Sequence, residues 1–75
     1  MFNRDAFSDR LRNLRKSRHM SQKDLASKIG VSFQTISMLE TAERSPSIEA
    51  FTLIAELFGI SADYLLGLSD DPKQH

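Results

Sequence analysis

Seventy-five residues, 40% of them hydrophobic, make one domain whose folding buries about 60 to 65% of the unfolded chain's surface, a small core with no room for a second. Ten basic residues balance ten acidic ones, so the strongly basic composition common among nucleic-acid binders is absent. Cysteine is also absent, which excludes disulfides and thiolate metal sites and suits a reducing compartment.

The hydrophobic periodicity predicts five helices and no strands. Phe7, Leu11 and Leu14 fall at i, i+4 and i+7 and define a first helix over residues 4–17, with arginine and aspartate on its other side. Charges every few residues from Phe2 to Leu14 do not fit a signal peptide. Ser21 with Asp24 three residues on is a capping-box signal for a second helix over 22–29, whose Leu25, Ala26 and Ile29 form one stripe. Gly30 falls where that helix stops, and Ser32 is positioned to cap a third helix over 33–41 with Ile36 and Leu39 inward. Two short helices joined by one glycine, with small Ala26 at their closest approach, have the geometry of a helix-turn-helix.

Ser45-Pro46-Ser47 is a stop followed by a start, leading into a fourth helix over 48–58. Its Phe51, Leu53, Ile54, Ala55, Leu57 and Phe58 occupy more than one face, which predicts the most enclosed helix of the domain. With Glu49 and Glu56 this stretch is too short and too charged to span a bilayer. Gly59 ends it, Ser61 caps a last helix over 62–66, and Ser69 to His75 form a polar tail with little to bury.

Charge is unevenly distributed. Residues 1–28 carry eight basic and three acidic side chains, net +5, and the remainder is therefore −5. A basic half on the first two helices would face phosphates while the acidic half points away.

The run Ser21-Gln22-x-x-Leu25-Ala26-x-x-x-Gly30-Val31-Ser32-x-x-x-Ile36-Ser37-x-x-Glu40 resembles the signature of the phage repressor and Cro family (XRE type) of helix-turn-helix transcriptional regulators. Arg10 to Arg15 are similar to that family's first helix, and Pro46-Ser47 and Ala62 to Gly67 to its fourth and fifth. The resemblance covers about residues 4 to 67 and implies an all-α, five-helix, lambda-repressor-like DNA-binding domain over residues 1–68. It further implies a cytoplasmic repressor, bacterial or phage-encoded, bound as a homodimer to a two-fold operator in double-stranded DNA. Arg15 and Glu40 match an arginine of the family's first helix that reaches the last turn of the third. The position usually held by glycine two beyond that glutamate is Ala42 here: either the third helix runs on or Ala42 accepts strain of about 1 kcal/mol.

Helical geometry of about 100° per residue puts Gln34, Ser37, Met38 and Thr41 on the outward side of the third helix, with Ser32, Phe33 and Thr35 near its start. Gln34, Phe33, Ser32, Ser37 and Met38 are the candidate base readers: a carboxamide matches adenine N6 and N7, and Phe or Met packs on a thymine methyl. Phe33 and Met38 have core packing as their alternative. Candidate phosphate contacts are Gln22, Lys23, Arg10, Thr35, Thr41 and Arg44, with Lys28 and Arg15 adding positive charge and Glu43 opposing it. Leu66 and Leu68 are candidate dimer contacts, because Leu65, Leu66 and Leu68 exceed what one short terminal helix can bury beneath itself.

His19 and His75 are the only histidines and have no carboxylates at ligand spacing, so no metal, cofactor or small-molecule ligand is expected. Serines without a nearby base give no enzyme signature. The competing reading is a protein-interaction module of the same fold, such as an antitoxin or accessory subunit, which the zero net charge permits. The uncharged polar face of the third helix favours DNA, because a protein-binding face carries more apolar anchors.

Overall fold

A computed structural model describes residues 2 to 73. Its helices are α1 (Arg4–Ser17), α2 (Gln22–Ile29), α3 (Phe33–Glu40), α4 (Ile48–Phe58) and α5 (Ala62–Leu66), with no strand among the described residues. Each starts at a side-chain cap. Asn3, Ser21, Ser32, Ser47 and Ser61 accept the backbone N–H three residues on, so local chemistry sets all five N-termini. At α2 the box closes, since the Ser21 N–H also donates to Asp24 at 3.0 Å.

Helix α1 is the floor of the domain, packed against α3 and α5, while α2 packs against α3 and α4. The core is Phe7 and Leu11 from α1, Leu25, Ala26 and Ile29 from α2, Ile36 and Leu39 from α3, and Ile54, Phe58, Ile60 and Leu65 beyond. Phe7 anchors it as the largest fully buried side chain together with the leucines and isoleucines around it. Phe7 also meets the Phe2 and Phe51 rings at 5.7 and 6.0 Å between centroids.

Helix α4 corrects the expectation of a central, enclosed helix. It buries the single stripe Ala50, Ile54 and Phe58, whereas Ile48 is 82% and Leu53 43% exposed. A domain of this size has no further layer to cover a second apolar face. The polar tail is likewise not idle. Its described part folds back, the Ser61 N–H donating to the Pro72 carbonyl at 2.9 Å and Arg10 reaching both Ser69 and Asp70. Gln74 and His75 lie outside the described residues.

Helix ends are less uniform than the starts. Gly30, Gly59 and Gly67 adopt the left-handed conformation expected after a helix, but His19 (φ 55°) and Ala42 (φ 63°) adopt it too. Gly67 is constrained twice, since a Cβ there would lie 2.9 Å from Asn3 Cβ. Helix α3 stops at Glu40 rather than running on, with the Glu43 N–H returning to the Met38 carbonyl at 3.0 Å. A left-handed L-residue costs about 1 to 2 kcal/mol, offset in part by glycine's greater unfolded entropy. Ala42→Gly is therefore expected to stabilise the domain by about 0.5 to 1 kcal/mol in urea denaturation; an unchanged midpoint would show that the loop relaxes around the alanine.

Candidate nucleic-acid interface

Helix α3 is only eight residues long, too short to persist alone, so its position must come from its neighbours. Ile36 and Leu39 bury one side completely. Its last turn is held by α1. Arg15 donates from Nε to Glu40 Oε2 at 2.7 Å and from Nη2 to Oε1 at 3.0 Å, a fork-to-fork pair with side-chain exposures of 12% and 3%. Gln22 Nε2, from the first residue of α2, donates to the same Oε1 at 3.1 Å. Arg12 Nη1 donates to the Glu40 carbonyl at 2.9 Å and Ser8 Oγ to the Leu39 carbonyl at 2.5 Å. Carbonyls at a helix end have no partner within the helix, and here α1 supplies them. The Glu40 carboxylate, as hydrogen-bond acceptor and opposite charge, raises the Arg15 pKa, while burial opposes that rise.

At the start of α2 the Ser21 N–H, and then its hydroxyl, hold the Asp24 carboxyl below the ordinary carboxylate range. Its folded pKa lies below its unfolded one, so this cap stabilises the fold above the unfolded pKa and loses that effect as pH falls through the folded pKa.

The outward side of α3 carries no charge, because Glu40 is its single ionisable residue and points inward. Gln34 and Thr41 are exposed, Phe33 is 46% exposed, and Ser37 and Met38 are half-buried at the rim. Phe33 is thus outside the core. Ser32 Oγ caps α3 and lies 2.9 Å from Thr35 Oγ1, so these two hydroxyls are tied to each other and to the helix start. Thr41 Oγ1 donates back to the Met38 carbonyl at 3.3 Å.

The basic residues divide sharply. Arg10, read from sequence as a phosphate contact, donates instead to the Tyr64 carbonyl, the Ser69 carbonyl and Asp70, and stacks 4.1 Å above the Tyr64 ring. Its guanidinium is spent on the end of α5. Arg18 does the same for α4, donating to the Leu57 and Phe58 carbonyls at 3.0 and 3.1 Å, as Arg12 does for α3. Three arginines of one helix and its cap therefore close three other helices and meet the negative ends of their dipoles. Arg15 is committed to Glu40. Neither Arg12 nor Arg18 was singled out from sequence. For Arg10 and Arg15 the available signal was angular, since they fall on the flanks of the Phe7-Leu11-Leu14 stripe, where long side chains lie along the core edge; Arg12, on the far side of the helix, and Arg18, beyond its end, carried no such signal. Lys23, Lys28 and Arg44 remain exposed, with no hydrogen bond or salt bridge of their side chains among the described residues. The carboxamide of Gln22 faces Glu40, which leaves its backbone N–H at the start of α2 as the donor toward an anion.

Of the residues read as dimer contacts, Leu68 is 59% exposed and Leu66 lines an apolar groove with Phe2, Ser45, Pro46, Ile48 and Phe51. Among the described residues no metal-ligating cluster occurs, and no helix is long and apolar enough to cross a membrane.

Comparison with known proteins agrees with this geometry. The family model described as Helix-turn-helix (HTH_3) matches residues 11–65. The chain is 36% identical over 66 residues to the uncharacterized HTH-type transcriptional regulator YobD of Bacillus subtilis, covering 88% of this chain and 59% of that protein. It is 39% identical over 59 residues to the HTH-type transcriptional regulator AnsR of the same organism, covering 79% and 51%. The chain thus spans little more than half the length of these two relatives. Among solved structures, the P22 c2 repressor in complex with a synthetic operator superposes with a TM-score of 0.79 at 32% identity, covering 84% of this chain and 96% of that one.

The Arg15–Glu40 pair sets a measurable stability term. Glu40→Ala leaves a nearly buried guanidinium unpaired and is expected to cost about 3 kcal/mol in urea denaturation. Arg15→Met combined with Glu40→Leu removes both charges and should cost clearly less than the two single changes added together. Additive losses would mean that the two side chains do not depend on each other.

Proposed function

The chain belongs to the HTH_3 helix-turn-helix family, and from that premise we propose that it binds double-stranded DNA sequence-specifically as a homodimer, with α3 in the major groove, and acts as a transcriptional repressor. The observation that carries the reading is the uncharged, exposed hydrogen-bonding side of α3, fixed to α1 through Glu40, with exposed Lys23 and Lys28 on the adjacent α2 and exposed Arg44 in the loop that follows α3. A helix in this setting fits the major groove, and cations at its border fit the phosphates that position it. The P22 c2 repressor, whose structure was solved on operator DNA, supplies the precedent for the fold in that use.

Two half-sites need two copies. The groove lined by Phe2, Pro46, Ile48, Phe51 and Leu66 has no charged lining, and Leu68, two residues after Leu66, is a further exposed apolar side chain. Such patches are uncommon on lone domains and suit a second copy at the C-terminal portion of the chain. The same patch favours the interaction-module reading if DNA is not the ligand, and the two separate by experiment. Selection from random duplexes followed by sedimentation should give one enriched motif and a dimer on it; sedimentation as a monomer at hundreds of micromolar, with and without the selected duplex, would remove the homodimer.

Salt dependence tests the division of the cations. With Lys23, Lys28 and Arg44 on phosphates, a dimer should lose affinity with a log-log slope of about −5. Lys23→Ala should weaken all sequences alike and flatten the slope by about 2 per dimer. Arg10→Ala should leave the slope unchanged, because its guanidinium is bound to Tyr64, Ser69 and Asp70. An Arg10→Ala slope as flat as that of Lys23→Ala would return Arg10 to the phosphate set.

A further inference from the structure

The side chains left free on α3 restrict which bases it can specify. Guanine is read by the bidentate fork of arginine or by lysine on its O6 and N7, and cytosine by a carboxylate on its N4 amine. Helix α3 has neither on its outward side: its one charged residue, Glu40, is 3% exposed and saturated by Arg15 and Gln22. The hydroxyls are largely committed as well. Ser32 and Thr35 bond each other and the helix start, and Thr41 bonds the Met38 carbonyl. What stays available is the exposed Gln34 carboxamide, the half-buried Ser37 hydroxyl, and two apolar surfaces, Phe33 and Met38, on either side of Gln34.

A carboxamide donates and accepts in the pattern of adenine N6 and N7. An apolar group has one favourable partner in the major groove, the thymine methyl. With both on one short helix face, we infer that each half-site is specified by A·T pairs: an adenine held by Gln34, with thymine methyls against Phe33 and Met38 and no guanine selected by a bidentate contact from α3. The one remaining hydroxyl, Ser37, bonds different bases alike and selects none. The inference rests on the DNA-binding reading above and adds the base class to it. Gln34, Phe33 and Met38 are then the specificity-determining residues, while Lys23, Lys28 and Arg44 bind any sequence.

The test modifies the DNA before the protein, so folding does not enter. In the duplex selected from a random pool, deoxyuridine in place of thymidine removes single methyls, and 7-deazaadenine or 7-deazaguanine removes the purine N7. The expected results are a weakening of about fourfold for each methyl that faces Phe33 or Met38, about tenfold for the adenine facing Gln34, and none for 7-deazaguanine in the bases under α3. Gln34→Ala should relax preference at one position per half-site by about 5- to 150-fold with an unchanged melting temperature, since exposed Gln and Ala have similar helix propensity. A selected half-site fixed by G·C pairs and weakened by 7-deazaguanine, or a Gln34→Ala protein with full base preference, would overturn the A·T assignment and leave sequence-specific binding intact. No enrichment of any duplex would overturn both.

Discussion

Glu40 is the constraint on which the arrangement depends. A carboxylate 3% exposed needs its charge met and its lone pairs filled, and Arg15 and Gln22 do both from two other helices. The consequence reaches the function through geometry. Helix α3 cannot hold itself, and α1 holds it by side chain at Glu40 and by main chain at Leu39 and Glu40. A side that reads bases must keep its groups fixed to well under an ångström, and this end-anchoring provides that without using any residue of the outward face.

The same anchoring limits the positive charge that this chain of zero net charge could offer to the polyanion proposed for it. Six of the eight cations of the first 28 residues lie in α1 and its cap, and four of them, Arg10, Arg12, Arg15 and Arg18, are bound to helix ends or to Glu40, whereas Arg4 and Lys16 stay exposed. Arg10, Arg12 and Arg18 meet carbonyls at the ends of α5, α3 and α4, where cations are favoured by the helix dipoles and the orphan acceptors together. Counting charges by segment therefore overstates the field available to phosphates. Among the described residues the exposed cations without a side-chain hydrogen bond or salt bridge are Arg4 and Lys16 on α1, Lys23 and Lys28 on α2, Arg44 in the loop after α3, and Lys73 in the tail.

What could be read from the sequence was what neighbouring residues decide. Ser21 with Asp24, Ser32, Ser47 and Ser61 act within three residues of themselves, so all four helix starts were visible. The inward stripes of α1, α2 and α3 followed from periodicity. Pairings across the chain were not visible in this way: Arg10 with Ser69 and Asp70 spans about sixty residues, and nothing local distinguishes it from an exposed arginine. Arg15 with Glu40 was suggested by resemblance, because two charges 25 residues apart carry no spacing signal of their own. Helix α4 misled for a related reason. Its apolar residues are real, but whether a second face is covered depends on how many layers surround it, which composition does not state.

That uncovered face bears on how the domain is stabilised. Ile48 at 82% exposure beside the groove of Phe2, Pro46, Phe51 and Leu66 is apolar area from which a small core gains nothing. A domain of this length has little stability to spare, and strained left-handed positions at His19 and Ala42 reduce it further. Covering the groove with a second copy would stabilise the folded state by mass action. It would also fix the distance between two α3 helices, which is what half-site spacing measures. The groove is lined by Ser45 and Pro46, in the segment joining α3 to α4, so a surface that closes there lies next in sequence to the reading helix. If the proposed dimer and the proposed base reading both hold, association and reading would be connected through the short segment between α3 and α4, where Ala42 holds a left-handed backbone.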